Sequence, residues 1–254
     1  MNSILWKKPP VNLSISRSEL HIWRVDLNNV NDRFNDLVSP PSLEEIKRSE
    51  HFMFERDQYR LQVTHSMKRL ILANYLDCNP QCLRFEIRSH GKPALDNLQN
   101  PFKIQFNISH SRDLILIAIT VEDLIGIDVE YYDKKCSIEG LGENIFSPSE
   151  KIFFSALNSK EEKKEAFFRC WTRKEAYLKA IGIGLTQDLT SISVDLNKAV
   201  SSHDWLKIST LSQSEIIPWK LFPLDIDNYY IANVVATSFQ KNLVCYKANE
   251  LPSA

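Results

Sequence analysis

The sequence predicts a mixed α/β (α+β) fold made of two similar halves, residues 1–122 and 123–254. Two stretches with helical spacing of apolar residues lie among short stretches in which apolar and polar residues alternate, as they do in strands. The order of these stretches also repeats. Each half begins with a strand, at 21–27 and 125–131, and continues with helical sequence and then antiparallel strands. We expect the halves to join near 121–123.

The composition is ordinary for a soluble globular protein and argues against two classes of function. With 31 basic and 32 acidic side chains the formal net charge is −1, whereas nucleic-acid-binding proteins normally carry a basic excess. No apolar run reaches the length of a membrane span, and the N-terminus lacks the apolar core of a signal peptide. The five cysteines have no framework or zinc spacing, which is typical of reduced thiols. We therefore expect a cytoplasmic protein that binds neither nucleic acid nor membrane.

The helical sequence of the first half is rich in basic residues. Ser42 and Glu45 form a capping-box pattern, which predicts a helical stretch that runs to about Leu76. Its charges indicate either a solvated helix face or an anion-binding surface, and spacing alone leaves both interpretations open. The residues concerned are Lys47, Arg48, Arg56, Arg60, Lys68 and Arg69.

Two more polar positions of the first half lie at turns or strand ends. Lys92 stands between Gly91 and Pro93, which restrict the backbone of a turn and present one cation. The alternation over 104–108 predicts a strand with one polar face, and His110 follows at its end, before a buried strand at 114–119. Such positions can converge on a ligand, but surface turns also carry them without function.

The strand that opens the second half carries two carboxylates on one face. Asp128 and Glu130 are two residues apart, so their side chains point the same way while Ile127 and Val129 point the other way. Like charges this close repel unless a cation lies between them. Hard oxygen ligands on a strand suit Mg²⁺, although an exposed strand face with ordinary acids is the alternative. Gly126 leaves room for a close approach to the backbone.

The main helix of the second half is predicted to begin after Ser159, which forms a capping-box pattern with Glu162, and to end at Gly182. Glu175 lies at the edge of its apolar stripe, and Lys179 lies one turn further on the same side. The pair can be an exposed ion pair or can hold a metal and a phosphate. A shorter helix is predicted after Ser147, and further strands at 191–196, 205–211, 218–222 and 229–237.

Four motifs occur in a fixed order, and together they resemble the 4′-phosphopantetheinyl transferases of the long, Sfp-like type over roughly 20–240. The motifs are Gly91-Lys92-Pro93, Phe106-Asn107-Ile108-Ser109-His110-Ser111, Ile125-Gly126-Ile127-Asp128-Val129-Glu130 and Trp171-Thr172-Arg173-Lys174-Glu175-Ala176. The resemblance implies two halves related by a pseudo-twofold axis. It also implies transfer of the phosphopantetheine arm of coenzyme A to a serine of an apo acyl or peptidyl carrier protein, with release of adenosine 3′,5′-bisphosphate.

The resemblance also implies roles for individual residues. The implied ligands of Mg²⁺, with Mn²⁺ as an alternative metal, are Asp128, Glu130 and Glu175. The implied catalytic residues are Glu175 as the base, Lys179 at the pyrophosphate and leaving oxygen, and His110 at the phosphates. The implied coenzyme A contacts are Arg48 at the 3′-phosphate, Arg60, Lys92, Ser109, His110 and Lys179. The family often has a second basic residue one turn before Arg48, where this sequence has Glu45.

Two other functions remain open on the residues themselves. A magnesium-dependent phosphohydrolase or nuclease could use the same acids with water and no carrier protein. A non-enzymatic module could bind coenzyme A or a carrier domain, but binding alone gains little from three adjacent carboxylates. Because two fused halves need no second chain to complete a cleft, we expect a monomer.

Overall fold

The computed structural model describes residues 4–29, 54–132, 137–138, 140–142, 144–198, 206–208, 219–237 and 241–251. The predicted capping box at Ser42 and Glu45 lies outside the described residues, as do the basic residues Lys47 and Arg48. A mixed α/β fold is observed, which confirms the predicted fold class. The pseudo-twofold relation and the division at 122 stay predictions.

The described part contains three α-helices and twelve strands. In chain order they are β1 (Trp6–Lys7), β2 (Glu19–Asp26), α1 (Glu55–Leu76), β3 (Phe85–Ile87), β4 (Pro93–Leu95), β5 (Ile104–Ser111), β6 (Leu114–Val121), β7 (Ile125–Tyr131), α2 (Pro148–Ser155), α3 (Lys160–Ile181), β8 (Ile192–Val194), β9 (Leu206–Ile208), β10 (Lys220–Leu224), β11 (Tyr230–Ala236) and β12 (Asn242–Lys247). None of the described helices is both long enough and apolar enough to cross a membrane.

Two sheets dominate the architecture, and a strand from the end of the chain belongs to the first of them. The first sheet has the order β1-β12-β2-β6-β5, and the second has the order β10-β11-β7. β12 was not predicted. It runs parallel to β2, with Asn242 opposite Glu19, so residues far apart in sequence complete one sheet. β5 and β7 are the edge strands at which the two sheets approach each other.

The second-half helices begin where their local sequences predict, and α3 also ends at the predicted residue, Gly182. Ser147 and Ser159 each accept a hydrogen bond from the third residue of the following helix, Glu150 and Glu162, whose carboxylates return to the cap backbone. These are complete capping boxes, which satisfy otherwise unpaired N–H groups of the first turn. At the other end of α3, Gly182 has φ of 75°, a left-handed conformation that glycine adopts at low cost.

Apolar side chains form three packed layers. α1 covers one face of the first sheet, and the inner faces of the two sheets pack against each other with Ile127 and Val129 fully buried. α3 covers the outer face of the second sheet. In the α1 layer, Lys68 and Arg69 are also buried. A fully solvated basic face was therefore a wrong interpretation for these two residues.

Gly126 allows α3 to lie directly against β7. A Cβ atom built on Gly126 would lie 1.9 Å from the carbonyl oxygen of Ala176 and 2.4 Å from the backbone nitrogen of Ala180. No side chain can occupy that space unless the helix moves. The close approach expected at this glycine is therefore made by α3, and it brings the polar face of β7 toward the helix.

Candidate functional site

The close contact of α3 with β7 brings acidic and basic side chains from three elements together. The Lys179 ammonium donates to Asp128 Oδ1 at 2.6 Å and to Ser109 Oγ at 3.0 Å. Ser109, at the end of β5, donates to the same Asp128 oxygen at 2.9 Å. Asp128 is 3% exposed, so this triangle forms at the buried side of the cluster, and Glu175 and Lys179 are not an exposed ion pair.

Glu175 lies in the same cluster and is difficult to ionise. Burial raises the pKa of Glu175 to about 7, with a further upward contribution from the Asp128 carboxylate, while Lys179 acts in the opposite direction and Glu130 adds a smaller upward one. Burial and Asp128 likewise raise the pKa of Glu130, against hydrogen bonds from Ser111 and Trp171. The cluster therefore contains three carboxylates, those of Asp128, Glu130 and Glu175, and one ammonium group, that of Lys179.

The cluster has hydrogen-bonding capacity that the protein does not use. Six buried side-chain atoms in the described ranges lack a hydrogen-bond partner, and two of them are Asp128 Oδ2 and Glu175 Oε1. Buried polar atoms are normally paired, so unpaired oxygens at a site are consistent with a missing ligand. Hard carboxylate oxygens are the donors that Mg²⁺ prefers.

Carboxylate oxygens are suitable ligands for a divalent cation, but the carboxylates of this cluster do not form a preformed metal site. Within the described ranges, no group of three or more His, Cys, Asp or Glu side chains is close enough to hold a metal ion. The Lys179 ammonium instead neutralises Asp128 directly. The predicted metal ligands are thus brought to one site, and their role as ligands stays a prediction.

His110 and Arg60 lie beside this cluster. Loss of water around part of the His110 ring lowers its pKa, and the positive charges of Arg60 and Lys179 lower it further. Arg60 donates to Asp57 at 2.5 Å and to the carbonyl of Arg112 at 3.4 Å. One end of α1 therefore brings a guanidinium group to the end of β5 that carries His110.

Lys92 reaches the site region from the β3–β4 turn, but its ammonium contacts backbone. It donates to the carbonyl oxygens of Ile125 and Ala180, both at 2.9 Å. Burial lowers the pKa of Lys92 to about 8, and the charge of Arg88 lowers it further. Lys92 thus links the start of β7 to the C-terminal turn of α3; its predicted contact with coenzyme A stays untested.

Comparison with known proteins identifies the family. The family model described as 4′-phosphopantetheinyl transferase superfamily matches residues 124–234, and the model described as 4′-phosphopantetheinyl transferase, N-terminal, matches 28–122. The 4′-phosphopantetheinyl transferase HetI of Nostoc sp. is 33% identical over 234 residues, which cover 92% of this chain and 94% of HetI. The chain belongs to the 4′-phosphopantetheinyl transferase superfamily. The recognition based on four ordered motifs is thereby confirmed.

Other phosphopantetheinyl transferases match a shorter part of the chain. Sfp of Bacillus subtilis is 30% identical over 168 residues, 66% of this chain and 70% of Sfp. The L-aminoadipate-semialdehyde dehydrogenase-phosphopantetheinyl transferase of Mus musculus is 31% identical over 166 residues, 61% of this chain and 52% of that protein. The similarity thus includes bacterial and mammalian phosphopantetheinyl transferases.

Sequence reasoning missed two residues that lie beside the acids of the candidate site. Ser111 donates to Glu130 Oε2 at 3.0 Å, and the Trp171 side chain lowers the pKa of the same carboxylate. Both lie within motifs that were recognised. The polar alternation of β5 was a signal for Ser111, whereas the apolar stripe of α3 assigned Trp171 to the core. Arg48, the predicted 3′-phosphate contact, lies outside the described residues.

Proposed function

We propose that this protein transfers the 4′-phosphopantetheine group of coenzyme A to a serine of an apo acyl or peptidyl carrier protein, in a Mg²⁺-dependent reaction that releases adenosine 3′,5′-bisphosphate. The observation that carries the proposal is the meeting of Asp128, Glu175 and Lys179 where α3 contacts β7. Membership of the family supports phosphopantetheinyl transfer as the reaction. The carboxylates and the ammonium group of the cluster support coenzyme A as the donor and Mg²⁺ as the metal.

The carboxylates of Asp128, Glu130 and Glu175 would hold the divalent cation, with Mg²⁺ preferred and Mn²⁺ as a substitute. The Asp128 carboxylate raises the pKa of both Glu130 and Glu175, and acids crowded in this way gain most from a bound cation. When bound, such an ion neutralises the charge of a diphosphate and polarises its oxygens. The two buried oxygens without partners, on Asp128 and Glu175, support this assignment.

The basic residues around the acids would bind the rest of coenzyme A. Attack on a diphosphate requires its negative charge to be neutralised and its leaving oxygen to be stabilised. Lys179 would contact the pyrophosphate and the leaving oxygen through charge-assisted hydrogen bonds. His110 would contact the phosphates, and Arg60, Arg48, Lys92 and Ser109 would complete the coenzyme A contacts.

Glu175 would accept the proton of the carrier serine. The carboxylate projects from α3, one turn before Lys179, so the group that removes the proton and the group that stabilises the leaving oxygen lie on one rigid element. A general base must lie within hydrogen-bond reach of the hydroxyl it deprotonates, either directly or through one water. We also propose that one chain suffices, because residues of both 1–122 and 123–254 build the site.

The proposal is tested by incubating the protein with Mg²⁺, coenzyme A and a panel of apo carrier proteins from fatty-acid, polyketide and peptide synthetases. We expect at least one carrier to gain the mass of one phosphopantetheine group, with one adenosine 3′,5′-bisphosphate released per modified carrier. Omission of Mg²⁺ should stop both events. Consumption of coenzyme A without a heavier carrier would contradict the proposal and indicate a phosphohydrolase instead.

A further inference from the structure

The seam between the two sheets is closed by side chains of β5 that replace backbone partners. Asn107 Oδ1 accepts from the N–H of Ile127 at 2.9 Å. Ser109 Oγ accepts from the N–H of Val129 at 3.3 Å, and Ser111 Oγ accepts from the N–H of Tyr131 at 3.0 Å. The contacts recur every second residue on both strands, because side chains on one face of a strand alternate.

Two of these three contacts extend to a carboxylate. Ser109 donates its hydroxyl proton to Asp128, and Ser111 donates its proton to Glu130 Oε2 at 3.0 Å. Each hydroxyl thus accepts from a backbone N–H and donates to the acid immediately before that N–H in sequence. A serine hydroxyl has one proton, so this arrangement commits that proton to the carboxylate.

We infer that Ser111 is a positioning residue that orients the Glu130 carboxylate for the bound cation. The Trp171 side chain of α3 also lowers the pKa of Glu130, so the carboxylate has a polar neighbour on the helix side as well as on the β5 side. A carboxylate has about four lone-pair sites, so the bond from Ser111 leaves acceptor capacity for a metal. Partners of this kind behind metal ligands fix the orientation of the ligand. The inference rests on the metal centre proposed above.

Of the three seam residues of β5, Ser111 is the one whose replacement tests the orientation of an acid most directly. Ser109 also contacts Lys179 and is a proposed coenzyme A contact, so its replacement would change several interactions. Asn107 occupies the equivalent place where the strand carries Gly126 and no acid. Ser111 has a side-chain partner in Glu130 and a backbone partner in Tyr131.

The test compares Ser111→Thr with Ser111→Val, which have nearly the same shape and differ in the hydroxyl. Mn²⁺ binding is measured by electron paramagnetic resonance with coenzyme A present and no carrier protein, so that turnover does not enter the readout. We expect Ser111→Thr to keep the wild-type affinity and Ser111→Val to bind Mn²⁺ about tenfold more weakly, as for other partners of metal ligands. Ser111→Ala, which adds no methyl group, should resemble Ser111→Val.

Gln105→Ala is the matched control. Gln105 lies on the same strand and the same face, and it accepts from Arg88 at 3.4 Å. Its replacement should leave Mn²⁺ affinity unchanged. Wild-type affinity in both Ser111→Val and Ser111→Ala would overturn the inference and leave the metal centre standing. Failure of the wild-type protein to bind Mn²⁺ would overturn the metal centre, and this inference with it.

Discussion

Two groups of buried polar charges are built around lysines of α3, and they differ in how many of their atoms have hydrogen-bond partners in the protein. Lys174 is fully buried and donates to Glu150 at 2.6 Å and to the carbonyl oxygens of Ile145 and Leu189 at 2.6 and 2.9 Å. Glu150 in turn accepts from the backbone N–H groups of Ser147 and Val194. Every charged atom named here has a protein partner.

The second group consists of Glu175 and Lys179 of α3 with Asp128 of β7, and only some of its atoms have hydrogen-bond partners. Lys179 bonds one oxygen of Asp128, but Asp128 Oδ2 and Glu175 Oε1 are buried without partners. The Lys174 group is therefore fully satisfied by the protein, whereas the Asp128 group leaves two buried oxygens without a protein partner. The contrast separates two lysines of one helix: Lys174, whose partners are all protein groups, and Lys179, which lies in the proposed site.

The largest expected effect is on the Lys174 group. Lys174→Met should lower the free energy of unfolding by about 3–5 kcal/mol, because Glu150 would be left as an unpaired buried charge. Chemical denaturation measures the change. Lys151→Met removes an exposed lysine from α2 and should change stability by no more than about 0.5 kcal/mol. Equal stability of the two variants would refute the structural role of Lys174.

For the group around Asp128 we expect a large loss of activity and a small change in stability. Asp128→Asn should reduce carrier modification at least about 100-fold, because loss of a metal ligand removes several kcal/mol of stabilisation at the phosphates. Its free energy of unfolding should change by less than about 1 kcal/mol. The amide oxygen can still accept from Lys179 and Ser109, and repulsion of Glu175 is relieved.

Asp225→Asn makes the same chemical change at an exposed position and should leave both transfer and stability unchanged. Normal transfer by Asp128→Asn at ordinary Mg²⁺ concentration would remove Asp128 from the metal site. Strong destabilisation without loss of specific activity would instead place Asp128 in the same structural class as Lys174.

The third substitution, Gly126→Ala, should move the side chains of the Asp128 group apart without altering any charge. Gly126→Ala should cost about 3 kcal/mol of stability, the upper end of the usual range for overpacking, because the added Cβ would meet the backbone of α3. Transfer activity should fall as well, since Glu175 and Lys179 move with the helix. Thermal unfolding and the transfer assay on the same sample measure both effects, and a fully active variant of wild-type stability would contradict the packing argument.

The smallest effect concerns a buried polar group that is kept neutral. His21 is 1% exposed and pairs with the Tyr75 hydroxyl at 2.7 Å. Burial lowers the pKa of His21 from 6.5 to about 4, against a weaker upward effect of Glu19. Well above pH 6.5 the ring is neutral in both the folded and the unfolded state, so it contributes no pH dependence there.

As the pH falls from 6.5 toward 4, the unfolded chain takes up the proton while the folded protein does not, so stability decreases. At pH 5.5 the loss from His21 should be about 1.4 kcal/mol relative to pH 7.5. His21→Gln should remove this part of the pH dependence, whereas His90→Gln, at an exposed position, should keep it. Denaturation at the two pH values gives the comparison, and parallel curves for wild type and His21→Gln would show that His21 does not titrate as described.

The local sequence alone determined where the two second-half helices begin, where α3 ends, and most of the strands. Capping boxes at Ser147 and Ser159 involve residues three positions apart, so their partners are already present in the segment. Alternation over 104–108 and Ile125–Tyr131 likewise indicates strands from neighbouring residues. The ordered motifs also identified the family and the acids of the site.

Only the tertiary structure decided how these pieces meet. β12 joins β2 from more than 200 residues away, and a short strand has no local signal for a distant partner. The Lys92 ammonium reaches carbonyls of β7 and α3, although the turn around it predicts only a presented cation. Ser111 meets Glu130 across the seam between two sheets. Each of these contacts joins segments that are distant in the sequence, and packing between distant segments is not encoded in any local pattern.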